Sequence, residues 1–270
     1  MKQVVPLEKA LDEGMFGSKA VGLGQAIRDG LPVPPGLALC GSIVEAVAAK
    51  EPRAVNEVCK RAKPLGGPLA VRSSAADEDG AAASFAGQHL TLLNVPSSDE
   101  LVAALSEIWW SANSDSAITY RKRVGLFTRP SIGVVVQKLL NPEAAGVMFT
   151  RNPVTGADER VIEASWGLGE AVVAGLVIPD NYRLDRSGRV LDRRPGLKSI
   201  AIRSAPNGGT VEEQVSPELV ERLCLNDDEL DALSQLANRS EQVYGTARDI
   251  EWALAGGTLY LLQCRAITKM

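Results

Sequence analysis

Apolar residues recur at helical spacing through most of the first half of the chain and at strand spacing through most of the second. Ser18 to Arg28 predicts a helix, with Ser18 as N-cap and Gly30 just past its end. LPVPPG (31–36) is a rigid turn, because proline fixes φ and disfavours helix in the residue before it. A helix is expected from Ser42 to Arg61, then a short strand, LAVRSS (69–74), running into a loop. That loop, AADEDGAAASFAG (75–87), holds small residues and acids without a period and is expected to be mobile. QHLTLLNV (88–95) reads as a strand, and Ser98 to Arg123 as two helices joined near Asn113. In the second half SIGVVVQKLL, GVMFTRNP, RVIEAS, NYRLDR and RVLDRR are strand-like runs separated by turn residues. Pro217 to Tyr244 is largely helical, with Asn226 placed to cap its longer part, and RDIEWAL-A-GG-TLYLLQCR closes the pattern as a hairpin. The expectation is an α+β chain with a helix-rich lobe over residues 1–127 and a strand-rich lobe over 128–270.

Composition narrows the function classes. The 270 residues are 45% hydrophobic but only 4% aromatic, so the core must be built from Val, Leu, Ile and Ala. A net charge of −4 gives no electrostatic footprint for nucleic acid or an anionic membrane. The N-terminal stretch has no apolar run behind its lysine and no segment is apolar enough to span a bilayer, so a cytoplasmic protein is expected. Four cysteines (Cys40, Cys59, Cys224, Cys264) lack CxxC spacing, which argues against zinc or a redox pair. A single histidine, His89, removes multi-histidine metal sites and leaves little room for a histidine-based triad.

The candidate chemistry is clearest in the closing hairpin. Alternation puts Asp249 and Glu251 on one face of the first strand and Gln263 and Arg265 together on the second. A two-residue loop at Gly256-Gly257 would set Glu251 opposite Leu262; a three-residue loop ending at Thr258 would set Glu251 opposite Gln263 and Asp249 opposite Arg265. In the second register the face offers hard oxygen ligands for Mg²⁺ and a guanidinium for a phosphoryl group. The plainer alternative is a solvated polar face.

GSKAVGLGQA (17–26) sets Lys19 among glycines near a helix start; it is neither a Walker A motif nor a dinucleotide fingerprint, and a phosphate contact competes with an ordinary surface lysine. Arg72, Ser73 and Ser74, with Ser84 in the following loop, are candidates to cradle phosphates, against an ordinary turn. The strand over 134–140 ends on Gln137-Lys138 and resumes after Asn141-Pro142, a candidate hinge for reading an adenine edge, although the pattern alone favours a strand end reaching solvent. GLGE (167–170) looks like a strand-to-helix turn, and Glu163 before it is a candidate partner for a ribose hydroxyl or another polar ligand group, against a solvent-facing strand carboxylate.

Taken in order, GSKAVGLGQAIRDGLPVPPG, LAVRSSAADEDGAAASFAGQHLTLLNV, the long run from Ile132 to Tyr182, and RDIEWALAGGTLYLLQCRAIT resemble the ATP-binding domain of the phosphoenolpyruvate synthase, pyruvate phosphate dikinase and rifampicin phosphotransferase family. The resemblance covers about residues 14 to 268. It implies an ATP-grasp fold of two α+β lobes with ATP in a cleft, the first lobe shortened between Cys40 and Leu69. It further implies that Lys19 and Arg72 contact ATP phosphates, that Gln137, Lys138, Leu139 and Leu140 form the adenine hinge, that Glu251 and Gln263 with Asp249 hold Mg²⁺, and that Arg265 stabilises transfer. Thr150, Arg151, Glu163 and Glu170 also match motif positions of the nucleotide site.

No phosphohistidine or pyruvate-binding segment follows QCRAIT, and His89 lies in a strand motif. The expected activity is therefore ATP-dependent phosphoryl transfer to a histidine or acceptor on a separate chain. A self-sufficient small-molecule kinase or acyl-phosphate-forming ligase, and a non-catalytic nucleotide-binding module, are the alternatives.

Overall fold

A computed structural model describes residues 3–75, 90–123 and 131–267. All but the first residue of the loop expected to be mobile (75–87) lies outside the described residues, together with Ser84 and His89. The chain forms two compact units, residues 1–25, 35–139 and 206–209 in one, and 26–34, 140–205 and 210–270 in the other.

The first unit carries β1 (Val4–Pro6), α1 (Glu13–Phe16), most of α2 (Ser18–Arg28), β2 (Gly36–Leu39), α3 (Gly41–Ala48), α4 (Pro52–Ala62), β3 (Leu69–Ser74), β4 (Thr91–Val95), α5 (Ser98–Ala112), α6 (Asp115–Arg123) and β5 (Gly133–Lys138). Its five strands form an antiparallel sheet in the order β1-β2-β5-β3-β4. Val134, Val135 and Val136 of β5 are all fully buried, because β5 is central and covered on both faces. Helices α3 and α5 pack on each other and on the sheet. α5 starts where Ser97 accepts the Glu100 N–H, an N-cap that follows from the serine's position before the apolar run.

The helix expected from Ser42 to Arg61 is two helices. Pro52 cannot donate to a preceding carbonyl, so it opens α4, and Lys50 turns the chain between them at φ +58°. The division at residue 127 is also redrawn: β5 pairs with β2 and β3, so the first unit runs on to Leu139.

The second unit holds β6 (Ala144–Phe149), β7 (Arg160–Trp166), α7 (Glu170–Val173), β8 (Asp180–Leu184), β9 (Val190–Arg194), β10 (Ile200–Ser204), β11 (Thr210–Gln214), α8 (Pro217–Val220), α9 (Asp227–Tyr244), β12 (Arg248–Ala255) and β13 (Thr258–Ala266). Six of its strands form an antiparallel sheet ordered β13-β12-β6-β7-β8-β9, and β10 pairs with β11 apart from it. Asn226 and Glu229 form a reciprocal capping box that starts α9. One face of the large sheet buries Met148, Ile162, Tyr182, Ile250, Trp252 and Leu261 against Leu230, Leu233, Leu236 and Ala237 of α9. Each unit is thus α+β, as its hydrophobic pattern requires. Among the described residues no helix is long and apolar enough to cross a membrane.

Candidate functional site

In the first unit, α2 begins hard against the end of β3. Gly17 has φ +81°, and a Cβ there would lie 2.0 Å from the Ser74 carbonyl oxygen, so only glycine allows the approach. The contact brings the Ser18 N–H to the Ala75 carbonyl at 3.0 Å and the Ala20 N–H to Ser74 Oγ at 3.1 Å. Ser18 is the first helical residue and not the N-cap; its hydroxyl donates to the Ala75 carbonyl. Two of the helix's first amide groups are therefore spent on the last residue of β3 and the residue after it. Lys19 Nζ donates to the Ser73 carbonyl at 2.9 Å, and both Lys19 and Arg72 are buried.

Gln137 pairs with Ala70 and Gly36, and Val135 two residues earlier pairs with Arg72, so Gln137 and Arg72 share one face of the five-stranded sheet. Gly36 makes room: a Cβ on it would sit 2.6 Å from Gln137 Cγ. The candidate hinge is partly committed. The Lys138 N–H donates to the Pro35 carbonyl at 3.0 Å and the Leu139 N–H to the Pro68 carbonyl at 2.9 Å.

In the second unit the hairpin register was open between two loop lengths. Ala255 pairs with Thr258, so the loop is the two-residue Gly256-Gly257, at φ +58° and +70°, which suits a type I′ turn. Yet Glu251 pairs with Gln263 and Asp249 with Arg265. A β-bulge reconciles the two. Trp252 pairs with Leu261, so Leu262 is an extra residue in β13. The bulge lets Leu261 stay in the core beside Trp252 while Gln263, two residues on, faces the other way with Glu251.

Directly opposed residues in an antiparallel sheet project to one side. The pairings Gln263–Glu251, Glu251–Val147, Val147–Glu163 and Glu163–Asn181 therefore line up one row across the face that α9 does not cover. The adjacent row holds Arg265, Asp249, Phe149 and Val161. Arg265 Nε donates to Asp249 Oδ2 at 2.8 Å. Burial raises the Glu163 pKa. At one end this face is closed by α7: the residue before it, Gly169, lies over Ala145, where a Cβ would make ordinary contact at 3.7 Å. Gly167 turns the chain at φ +76° and would strike the Ile202 carbonyl with any Cβ, which builds the expected strand-to-helix turn and sets Glu170 at the start of α7.

Thr150 and Arg151 sit elsewhere. Thr150 is fully buried; its N–H donates to the Arg248 carbonyl at 2.8 Å and its Oγ1 accepts the Arg248 N–H at 2.9 Å. Arg151 brackets the following turn, through the Gly156 carbonyl at 3.1 Å and Asp158 at 3.4 Å. Both serve the junction after β6, a role that motif position alone did not reveal. Asn181 was not singled out from the sequence. The run NYRLDR marked it as a strand residue, but its place beside Glu163 needs the register.

Glu251, Asp249 and Gln263 offer hard oxygens on one face, which fits Mg²⁺. Among the described residues no group of three or more His, Cys, Asp or Glu side chains could hold a metal. Such an ion would take its remaining ligands from phosphate oxygens and water.

Residues 39–270 match the family model described as pyruvate phosphate dikinase, AMP/ATP-binding domain. A probable phosphoenolpyruvate synthase of Methanothermobacter thermautotrophicus is 34% identical over 306 residues, covering 96% of this chain and 45% of the relative. The rifampicin phosphotransferase of Bacillus subtilis is 37% identical over 203 residues, covering 74% of this chain and 23% of that protein. The chain thus spans less than half the length of these curated relatives. Among solved structures, PH1788 from Pyrococcus horikoshii aligns at 18% identity and TM-score 0.46, covering 96% of this chain and 94% of that one. D-alanine–D-alanine ligase from Bacillus anthracis complexed with ATP aligns at 13% identity and TM-score 0.39, covering 97% and 58%. At those scores the likenesses carry no information on activity.

Proposed function

This chain belongs to the pyruvate phosphate dikinase AMP/ATP-binding domain family, and from that membership we propose that it is an ATP-dependent phosphotransferase of ATP-grasp type, acting with Mg²⁺ in the cytoplasm. Its acceptor is a histidine or another group on a separate chain. The observation that carries this reading is the hairpin face, where Asp249, Glu251, Gln263 and Arg265 stand in two adjacent cross-strand pairs.

Phosphoryl transfer needs positioning and charge neutralisation more than covalent help from the protein. Glu251 and Gln263, with Asp249, would hold Mg²⁺, which neutralises phosphate charge when bound. Lys19 and Arg72 would supply fixed positive charge to the triphosphate. Burial favours this, since a cation acts more strongly where solvent screening is weak. The Arg265–Asp249 pair holds the guanidinium at the metal-ligand carboxylate, ready to shift onto a transferring phosphoryl group. With the Lys138 and Leu139 amides committed, adenine reading would fall to the Leu140 N–H and the carbonyls of the Gln137–Leu140 stretch. Glu163 would accept hydrogen bonds from the ribose, and Glu170 would border the nucleotide.

The test is incubation of the chain with labelled ATP and Mg²⁺, with and without a lysate fraction of proteins carrying reactive histidines, followed by mass-spectrometric identification of whatever gains phosphate. Phosphohistidine on an added protein supports the reading. Transfer to a small molecule with no added protein would favour a self-sufficient kinase, and binding of ATP without any transfer would favour a nucleotide-binding module.

A further inference from the structure

We infer that Asn181 reads the sugar of the nucleotide: beside Glu163, its amide engages the vicinal hydroxyls of the ribose and gives the site a preference for ribonucleotides. This deepens the ATP reading above and rests on it.

Asn181 continues the cross-strand row that begins at Gln263 and Glu251, and it stands directly opposite Glu163. Its side chain is half-buried, and among the described residues its amide makes no side-chain hydrogen bond. Its neighbours in β8 are fixed. Asp180 and Tyr182 point to the opposite face, are fully buried, and are hydrogen-bonded to the Cys224 and Leu225 N–H groups at 2.8 and 3.1 Å. The strand is therefore rigid at Asn181 while its amide remains uncommitted, the arrangement expected of a preorganised ligand contact.

The chemistry and the spacing select the ligand group. An ionised carboxylate only accepts hydrogen bonds, whereas a primary amide donates two and accepts two. Such a pair suits a group that presents donors and acceptors side by side, as a vicinal diol does. Glu163 stands two strands from Glu251, about 10 Å at the usual strand spacing. That is comparable to the reach of a nucleoside triphosphate from metal-bound phosphates to its sugar. Phosphate is a poor alternative, because Glu163 would repel it. The outermost position of the row, Arg194, is exposed and pairs with Asp192 at 2.8 Å, so Asn181 is the last half-buried polar position of the row.

The experiment is calorimetric titration of the whole chain with ATP, 2′-deoxy-ATP and 3′-deoxy-ATP in the presence of Mg²⁺. The wild type should favour ATP over at least one deoxy analogue. Asn181→Ala should weaken ATP binding about fivefold, the size of one lost hydrogen bond, and leave the disfavoured analogue unchanged, so that the preference collapses. If the alanine variant melts early, Asn181→Val keeps strand propensity, removes the donor and acceptor, and gives the same ratio. An unchanged ATP-to-deoxy ratio in these variants, or no preference in the wild type, overturns the inference. Failure of the wild type to bind ATP at all is a separate result that removes the nucleotide reading itself.

Discussion

Asp180 and Glu163 lie one position apart in register on neighbouring strands, and they face opposite sides of the same sheet. Asp180 is fully buried and receives the Gly196 N–H at 2.7 Å, the Cys224 N–H at 2.8 Å, the Tyr182 hydroxyl at 3.3 Å and the Lys198 ammonium. Glu163 is half-buried, and among the described residues its carboxylate accepts no hydrogen bond, while burial raises its pKa. The first carboxylate is scaffold: its desolvation is offset on every side. The second carries a desolvation penalty that the described fold does not offset, and a polar ligand would offset it. Arg160 is likewise buried and bound to Ser234 and Asn238 of α9, although its Nε has no partner among the described residues.

The largest effect should come from attacking the scaffold. Asp180→Asn leaves the buried Lys198 ammonium without a counter-charge, which should destabilise the second unit by about 3–5 kcal/mol. Chemical denaturation followed by circular dichroism measures it. The Asp180→Asn, Lys198→Met double variant should recover a good part of that loss, because removing both charges is gentler than stranding one. A single variant within about 1 kcal/mol of wild type would erase the contrast between the two carboxylates.

On the opposite face, the proposed ligand face, the expected order is reversed, with little change in stability and a large change in activity. Glu251→Gln keeps the shape but loses the charge that would hold Mg²⁺. Its turnover of labelled ATP should fall about a hundredfold with the melting midpoint intact. Turnover like the wild type's would remove Glu251 from the site.

How far the sequence revealed this contrast depended on the length scale of each signal. The cap at Asn226 was legible because its chemistry is complete within four residues, although the reciprocal bond from Glu229 was not singled out. The break between α3 and α4 was overridden by a helical pattern that runs through Pro52. Strands β1 and β2 are three and four residues long, too short for alternation to register, and β11 is exposed throughout with Val211 as its one apolar residue, so no alternation marks it. The hairpin pairing Glu251–Gln263 was among the expected registers, but its cause is the bulge at Leu262 and not a third loop residue. Bulges follow from how both sheet faces pack, which one strand's alternation does not contain. Lys19 and Arg72 could be picked out as candidates, whereas the commitments of Thr150, Arg151 and the hinge amides arise from partners 71 to 103 residues away or from a local turn that motif position does not show.

Glu163→Gln sharpens the comparison on one residue. Its folded-state pKa is raised, so the folded protein holds that proton more tightly than the unfolded chain. Glu163 therefore opposes folding fully above its raised folded-state pKa; the opposition fades as pH falls through that value and is gone below the ordinary, unfolded one. Glutamine should raise stability at neutral pH by a fraction of a kcal/mol, given solvent screening at a half-exposed position, and the gain should vanish on acidification. The same change should weaken ATP binding about tenfold through loss of charge-assisted hydrogen bonds. Thermal melts across pH, paired with calorimetry, check both signs. A variant less stable than wild type at neutral pH would mean that Glu163 is scaffold after all.

The smallest effect lies at the tip of the hairpin that carries the metal-ligand candidates. Gly256 and Gly257 both adopt positive φ, a conformation that asparagine tolerates better than other L-residues. A Cβ at Gly256 meets nothing within 4 Å, so Gly256→Asn introduces no clash. It reduces the freedom of the unfolded chain and should stabilise by about 0.5 kcal/mol. Because Ala255–Thr258 and every pair down to Trp252–Leu261 keep their register, Glu251 and Gln263 should not move. Turnover and Mg²⁺ dependence should then match the wild type while the melting midpoint rises. If activity fell along with that rise, the tip would be coupled to the ligand face, and scaffold and site would not be separable along β12 and β13.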